Sequence, residues 1–318
     1  MSGAKSEIRG RFAPSPSGRM HLGNVYSALF SYFCAKENDG EWILRIEDLD
    51  RQRCKKEYSS QLIDDLLWLG LTWDNFSNQN DGLSPDFFQS NRESYYIEAF
   101  DSLYAQNLVY DCFCSRADIQ ASSAPHLSDG KIVYSGKCKN LTEVERHNLQ
   151  KIRNPAKRLS CENKMISFTD RFFGRQECNV SKDCGDFIIR RGDGNFAYQL
   201  AVVVDDELMD VNQIVRGRDL ISSTFEQVYL YEKLNFKNLP NYVHLPLLAS
   251  RDGRRLSKRD KDCDMGFFRE NFTAEEVIGK ILSLCGLLPK EEKISVADAV
   301  SIFDLKKLPK NDIRVEKL

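Results

Sequence analysis

The sequence predicts an α/β fold built on a parallel, Rossmann-type sheet, and three observations lead there. Residues 8–48 alternate strand, loop, helix and strand, a βαβ unit of the kind that forms parallel sheets with a right-handed crossover. A near-continuous apolar run returns at 196–204, as in a strand buried on both faces, and a further strand is read at 242–248. The composition, 42% hydrophobic and 29% charged over 318 residues, excludes a disordered chain and leaves enough apolar surface for a sizeable core.

Taken in order, Ile8 to Ala13 reads as a short strand running into the loop PSPSG at 14–18. A helix follows from Gly23 to Glu37, because Val25, Ala28, Leu29, Tyr32 and Phe33 recur at helical spacing, and Asn38, Asp39 and Gly40 stop it. WILRIED at 42–48 is β-prone and ends abruptly in carboxylates. The next helix, Lys55 to Leu69, carries Leu62, Ile63, Leu66 and Leu67 on one face and ends at Gly70. Residues 111–185, rich in cysteine, glycine and charge, read as an insertion between two halves of a catalytic domain, 8–110 and 186–250. In the second half FAYQLAVVV at 196–204 reads as a buried strand, followed by a helix at 222–235 and a strand from Tyr242 to Leu248. Residues 251–318 hold a basic loop and a small helical unit, where Thr273 and Glu276 form a capping box ahead of Val277, Ile278, Ile281, Leu282 and Cys285.

A formal net charge of only -2 gives no general argument for a polyanionic partner. Two local segments are basic: 251–261, and 137–158 with seven Lys or Arg against Glu143 and Glu145. Alone, such runs are solvated faces. The start, MSGAKSEIRG, lacks the apolar core of a secretory signal, and no apolar run approaches the roughly 20 residues that span a bilayer. The expectation is a cytoplasmic protein without a membrane partner, its ten cysteines reduced.

Three constellations carry chemistry. In RFAPSPSGRMHLGN, 11–24, Pro14 and Pro16 stiffen the loop while Gly18 and Gly23 allow close backbone approach to a ligand. His21 then precedes a helix whose N–H groups and positive dipole end attract phosphate. Far downstream, RRLSKR at 254–259 sets Ser257 and Lys258 on a loop that can close over a site. Either segment alone reads as structural or solvated; both, in this order across an α/β pattern, read as one site for a triphosphate. The third is CFC at 112–114 with YSGKC at 134–138. Cys112, Cys114 and Cys138 could be metal ligands, or the first two could be alternating positions of a strand.

The first two segments resemble the paired signatures of the class I aminoacyl-tRNA synthetases, with Asn24 standing where a second histidine is usual. RFAPSPSG, RIEDLD at 45–50 and VRGRDL at 215–220 are similar to the glutamyl branch. Over nearly the whole chain the resemblance is to its short members, the glutamyl-Q tRNA(Asp) synthetase family. That resemblance implies a class I catalytic core with a zinc-binding insertion and no anticodon-binding domain. It implies ATP, with Mg, bound by Pro14, His21, Gly23, Asn24, Ser257 and Lys258, with His21 and Lys258 catalytic. It implies glutamate bound by Arg11, Ala13, Ser15, Glu47, Tyr198 and Arg216, the arginines gripping carboxylates and Glu47 the substrate ammonium. It makes Tyr134 the fourth zinc ligand beside the three cysteines, with His126 as rival, and leaves Cys161, Cys178 and Cys184 ordinary. No role is assigned to Asp205 or Asp206. The implied reaction is ATP-dependent glutamylation of queuosine in the tRNA(Asp) anticodon loop by a monomer. The alternatives are a truncated glutamyl-tRNA synthetase charging the tRNA 3′ end, or an inactive RNA-binding paralogue.

Overall fold

A computed structural model describes residues 8–77, 82–121, 133–250 and 264–315. The strands are β1 Arg9–Phe12, β2 Glu41–Leu44, β3 Val109–Cys112, β4 Ala156–Leu159, β5 Met165–Asp170, β6 Gly174–Asn179, β7 Phe187–Arg190, β8 Gln213–Gly217, β9 Asn241–Leu245, β10 Leu248–Ala249 and β11 Ile313–Arg314. The helices are α1 Leu22–Lys36, α2 Lys56–Trp68, α3 Glu93–Ala105, α4 Arg116–Ala121, α5 Glu143–Gln150, α6 Tyr198–Leu208, α7 Ile221–Lys233, α8 Met265–Asn271, α9 Ala274–Leu284 and α10 Val296–Ile302.

The main sheet has the order β2-β1-β8-β9-β5-β6, parallel except for the antiparallel edge strand β6. Alternation along each strand sorts side chains into two cores. Trp42, Leu44, Val215, Val243 and Leu245 join one with α1, α2 and the C-terminal helices. Ile43, Ile214 and Tyr242 join the other with α3, α6 and α7. From β1 the chain crosses to β2 on one side, while β8 flanks β1 on the other. This reversal opens a crevice at the carboxyl ends of β1 and β8, where ligands of doubly wound sheets bind.

The βαβ unit forms at 9–44, with Asp39 ending α1 in the left-handed region at φ 52°. The capping box of α9 is present, with Val277, Ile278, Ile281, Leu282 and Cys285 buried beneath it. Leu67 departs from its expected face and is exposed. Residues 111–185 contribute to two sheets: β4 lies in a three-stranded sheet β3-β4-β7, whereas the hairpin β5–β6 extends the main sheet.

A second expectation is corrected. The run at 196–204 is not a strand; from Tyr198 it is helix α6. Its Leu200, Ala201, Val202, Val203 and Val204 are all buried in one core, packed against α3, α7 and β7. A short unbroken run of buried apolar residues has no period to read, so it cannot be told from a buried strand by pattern alone. The β-branched valines tilt the local preference the wrong way, and burial overrides them.

Candidate active site

The site begins with the loop after β1. Gly18 has φ 146°, a conformation that side chains rarely adopt, and turns the chain toward α1. His21 is the N-cap of α1: its Nδ1 accepts the Gly23 N–H at 3.1 Å, and Asn24 Oδ1 accepts the His21 N–H at 3.2 Å. Asn24 thus completes a reciprocal cap. Gly23 lies against the His21 imidazole, and a Cβ there would meet ring atoms at 3.0 and 3.1 Å.

Arg11, Ala13, Pro14, Ser15, His21, Gly23, Asn24, Glu47, Tyr198 and Arg216 all line one cleft of about 410 Å³. A second hollow of about 360 Å³ shares Ser15, Ser17, Glu47 and Tyr198 with it and is otherwise lined by residues including Asp50, Arg53, Arg191 and Asn195. Ser257, Lys258 and His126 lie outside the described residues. The residues flanking the basic segment do reach the cleft: Leu248 lines it, and Asp264 pairs with His21 as an isolated antiparallel bridge.

Beneath the cleft lies a buried charge network that the sequence did not announce. Asp206 receives Arg45 Nη1 at 2.7 Å and Arg11 Nε at 3.2 Å. Arg45 Nη2 reaches Glu47 Oε1 at 3.2 Å, and Asp205 is held by Arg92 Nε at 2.6 Å, Gln89 at 2.8 Å and Tyr96 at 2.9 Å. Three arginines face three carboxylates, so the network is internally balanced. Burial pushes Asp206 up, but Arg11 and Arg45 outweigh it and hold its carboxyl below the ordinary range. For Glu47 burial prevails over Arg45 and Arg11, and its carboxyl is raised. The one available signal was Arg45 itself, a charge within a strand-like apolar run that burial obliges to find a partner.

Arg216 differs. Its guanidinium, buried at the end of β8, is held by His244 Nε2 at 3.3 Å, Thr224 Oγ1 at 2.8 Å, Gln227 Oε1 at 2.7 Å and Tyr198 Oη at 3.4 Å. Each acceptor is neutral, and among the described residues no carboxylate forms an ion pair with it. A buried cation of this kind, facing a cleft, suits an anionic ligand.

A separate cluster joins Cys112 at the end of β3 with Cys114, Tyr134 and Cys138. The three Sγ atoms lie within 4.8 Å of one another, Cys114 and Cys138 at 3.6 Å. Tetrahedral zinc with Zn–S bonds of about 2.3 Å needs S···S edges of about 3.8 Å, so the donor set fits a metal. Tyr134 Oη lies 3.5 Å from Cys112 Sγ and 3.6 Å from Cys114 Sγ, while accepting the Cys138 N–H at 2.9 Å. Burial raises the Cys112 thiol, but hydrogen bonds from Tyr134 and Arg158 outweigh it and bring it below its ordinary value.

Comparison with known proteins places these features. The family model for the catalytic domain of class I tRNA synthetases (E and Q) matches residues 7–312. The chain is 40% identical over 310 residues to a glutamyl-Q tRNA(Asp) synthetase of Symbiobacterium thermophilum, covering 96% of this chain and 95% of that protein. It is 39% identical to a glutamate–tRNA ligase of Aquifex aeolicus, of whose length it spans 62%. Among solved structures it resembles a glutamate tRNA ligase from Elizabethkingia meningosepticum in complex with its amino acid, with a TM-score of 0.79, 27% identity, and 97% and 67% of the two chains covered. Among the described residues no helix is long and apolar enough to cross a membrane. With a family match over almost its whole length, and the cleft at the switch point of its sheet, the chain belongs to the class I tRNA synthetases of the glutamate and glutamine type.

Proposed function

We propose that this protein activates glutamate with ATP and transfers it to the queuosine base in the anticodon loop of tRNA(Asp). The observation that carries the amino-acid half is Arg216, a buried guanidinium with neutral acceptors that faces the cleft. In this reading the substrate side-chain carboxylate completes the Arg216 ion pair, and Glu47 takes the ammonium group. Arg11 is engaged by Asp206 on one side and lines the cleft on the other, where it steadies the remaining carboxylate. That carboxylate attacks the α-phosphorus of ATP, a P–O bond forms, and the bond to pyrophosphate breaks. The phosphates lie over the first turn of α1, near Pro14, Gly23 and Asn24. With Nδ1 committed to the helix cap, His21 faces them through Nε2. Ser257 and Lys258 belong to the segment whose flanking residues reach the cleft, and the lysine ammonium neutralises charge on the departing pyrophosphate.

In the second step an acceptor hydroxyl attacks the adenylate carbonyl and AMP leaves. The adjoining hollow beside Tyr198 offers the acceptor a route. Support for queuosine is the name carried by relatives 40% and 39% identical to this chain. Cys112, Cys114, Tyr134 and Cys138 hold zinc, which supplies a structural crosslink; metal analysis of the purified protein returns about one zinc per chain, and a value near zero removes the site.

The test of the acceptor incubates labelled glutamate and ATP with unfractionated tRNA, then digests to nucleosides. Label on queuosine is expected. Label on the terminal ribose would replace the proposed acceptor with the 3′ end, and absence of glutamate-dependent ATP–pyrophosphate exchange would remove the activation step itself.

A further inference from the structure

The cleft arginine is aligned by strands that lie outside the family motifs. Arg216 on β8 stands directly opposite His244 on β9, and Asp170 ends the next strand, β5. Asp170 and His244 are fully buried. Asp170 Oδ1 accepts the backbone N–H groups of Phe172 and Phe173 at 2.9 and 2.7 Å; Oδ2 accepts the His244 backbone N–H at 2.9 Å and faces His244 Nδ1 at 2.8 Å. A carboxylate held this way accepts a hydrogen bond from Nδ1–H and so keeps the imidazole proton there, leaving the Nε2 lone pair to Arg216 Nε at 3.3 Å and the Thr224 hydroxyl at 3.1 Å. The Thr224 hydroxyl lies 2.9 Å from the Leu220 carbonyl and 3.1 Å from His244 Nε2, and whichever of the two takes its proton, its oxygen accepts from Arg216. Gln227 is fixed likewise, its amide N–H donating to Gln199 Oε1 at 2.9 Å.

We propose that Asp170 and His244 form a positioning pair that aims the Arg216 guanidinium into the cleft and sets the preference for an amino acid with an anionic side chain. This rests on the glutamate reading above. The contrast with Arg11 shows what the arrangement gains. Asp206 grips Arg11 directly with both oxygens, at 3.2 and 3.4 Å, and occupies two of its nitrogens. At Arg216 the countercharge is set back by one imidazole. The cation is compensated through Asp170, yet its immediate acceptors remain neutral and leave its attraction for a ligand carboxylate intact. Burial also holds the His244 imidazole below its ordinary pKa, keeping it neutral beside the arginine. A proton on Nε2 would set an N–H against an N–H, and Asp170 prevents it.

Three substitutions in the full-length protein separate this role from simple packing. Asp170→Asn is isosteric but presents an N–H to Nδ1, which moves the imidazole proton to Nε2. His244→Asn keeps a donor toward Asp170 and removes the acceptor at Arg216. His244→Gln restores an oxygen near the Nε2 position. In glutamate-dependent ATP–pyrophosphate exchange, Asp170→Asn and His244→Asn raise the KM for glutamate about tenfold or more, leave the KM for ATP within about twofold, and narrow the preference for glutamate over glutamine. His244→Gln recovers most of the loss. Equal rises in both KM values, or an unchanged glutamate KM in either of the first two variants, overturns the proposal. Imidazole 15N shifts of the wild-type protein give a readout independent of activity and of variant folding: Nδ1–H is expected, and Nε2–H overturns the pair. A wild-type protein with those shifts but no exchange would sink the glutamate reading, together with the selectivity assigned to the pair, while its imidazole geometry stood.

Discussion

At the scale of single residues, the decisive contrast is between arginines whose charge is matched internally and one whose charge is matched only by neutral acceptors. Arg216→Ala removes the anionic-ligand contact, and a charge-assisted pair contributes roughly 1.5–3 kcal/mol, so the KM for glutamate should rise about 10- to 150-fold with that for ATP nearly unchanged. Steady-state exchange kinetics check it; equal loss for both ligands would make the side chain structural. Glu47 gives a pH signature. Burial, against Arg45 and Arg11, lifts its carboxyl above the ordinary value of 4.5. Its charged form is therefore lost as pH falls through that raised value, and glutamate binding should weaken there. Glu47→Gln should bind weakly throughout and lose that acid limb, which a pH series of glutamate KM reads directly. Arg11, Glu47 and Arg216 were legible because they sit in short motifs with recognisable neighbours, and Tyr198 came only with the family resemblance. His244 and Asp170 were not, since their relation to Arg216 exists only once β5, β9 and β8 are laid side by side.

At the scale of elements, α1 was readable and α6 was not, for a common physical reason. Helix α1 is long and is followed by the stop residues Asn38, Asp39 and Gly40, whereas the apolar part of α6 is one unbroken run, Leu200 to Val204, short enough for a strand. The two carboxylates closing α6 were the overlooked clue. Asp205 and Asp206 share Arg45 and otherwise reach different arginines, Arg92 and Arg11, as neighbours about 100° apart on a helix can. The start of α1 yields a test that separates stability from chemistry. Gly23→Ala gains up to about 1 kcal/mol of helix propensity yet forces the His21 ring to shift. Because a shifted ring also gives up its cap on the Gly23 N–H, the thermal midpoint should change little while the rate of pyrophosphate exchange falls; an unchanged rate would show that the ring position is unimportant.

At the scale of the whole molecule, the balanced network ties β1, β2, α3 and α6 into one unit and makes folding depend on acid. Asp206 is depressed below the ordinary carboxylate range because Arg11 and Arg45 outweigh its burial. Its contribution is therefore present above the unfolded value of about 3.9 and is lost as pH falls through the depressed folded value. Urea midpoints measured from pH 6 downward should drop steeply below about pH 4 in the wild type. Asp206→Asn should lose roughly 3–5 kcal/mol near neutrality and show a shallower acid limb, as expected when one partner of a buried pair is removed. A wild-type midpoint that ignores pH in this window would mean the network contributes nothing net. The α/β class, its parallel order and the C-terminal helices followed from local patterns, but the network did not, because Arg11 and Asp206 are 195 residues apart.

That separation bears on how the protein is made. Strand β1 is synthesised well ahead of its neighbour β8, which follows some two hundred residues later. Until then β1 has only β2 beside it, one sheet edge lies open, and Arg11 and Arg45 wait without Asp206. Nascent chains stalled before residue 206 should consequently be protease-sensitive and prone to self-association, and acquire resistance in one late step once the centre of the sheet can close.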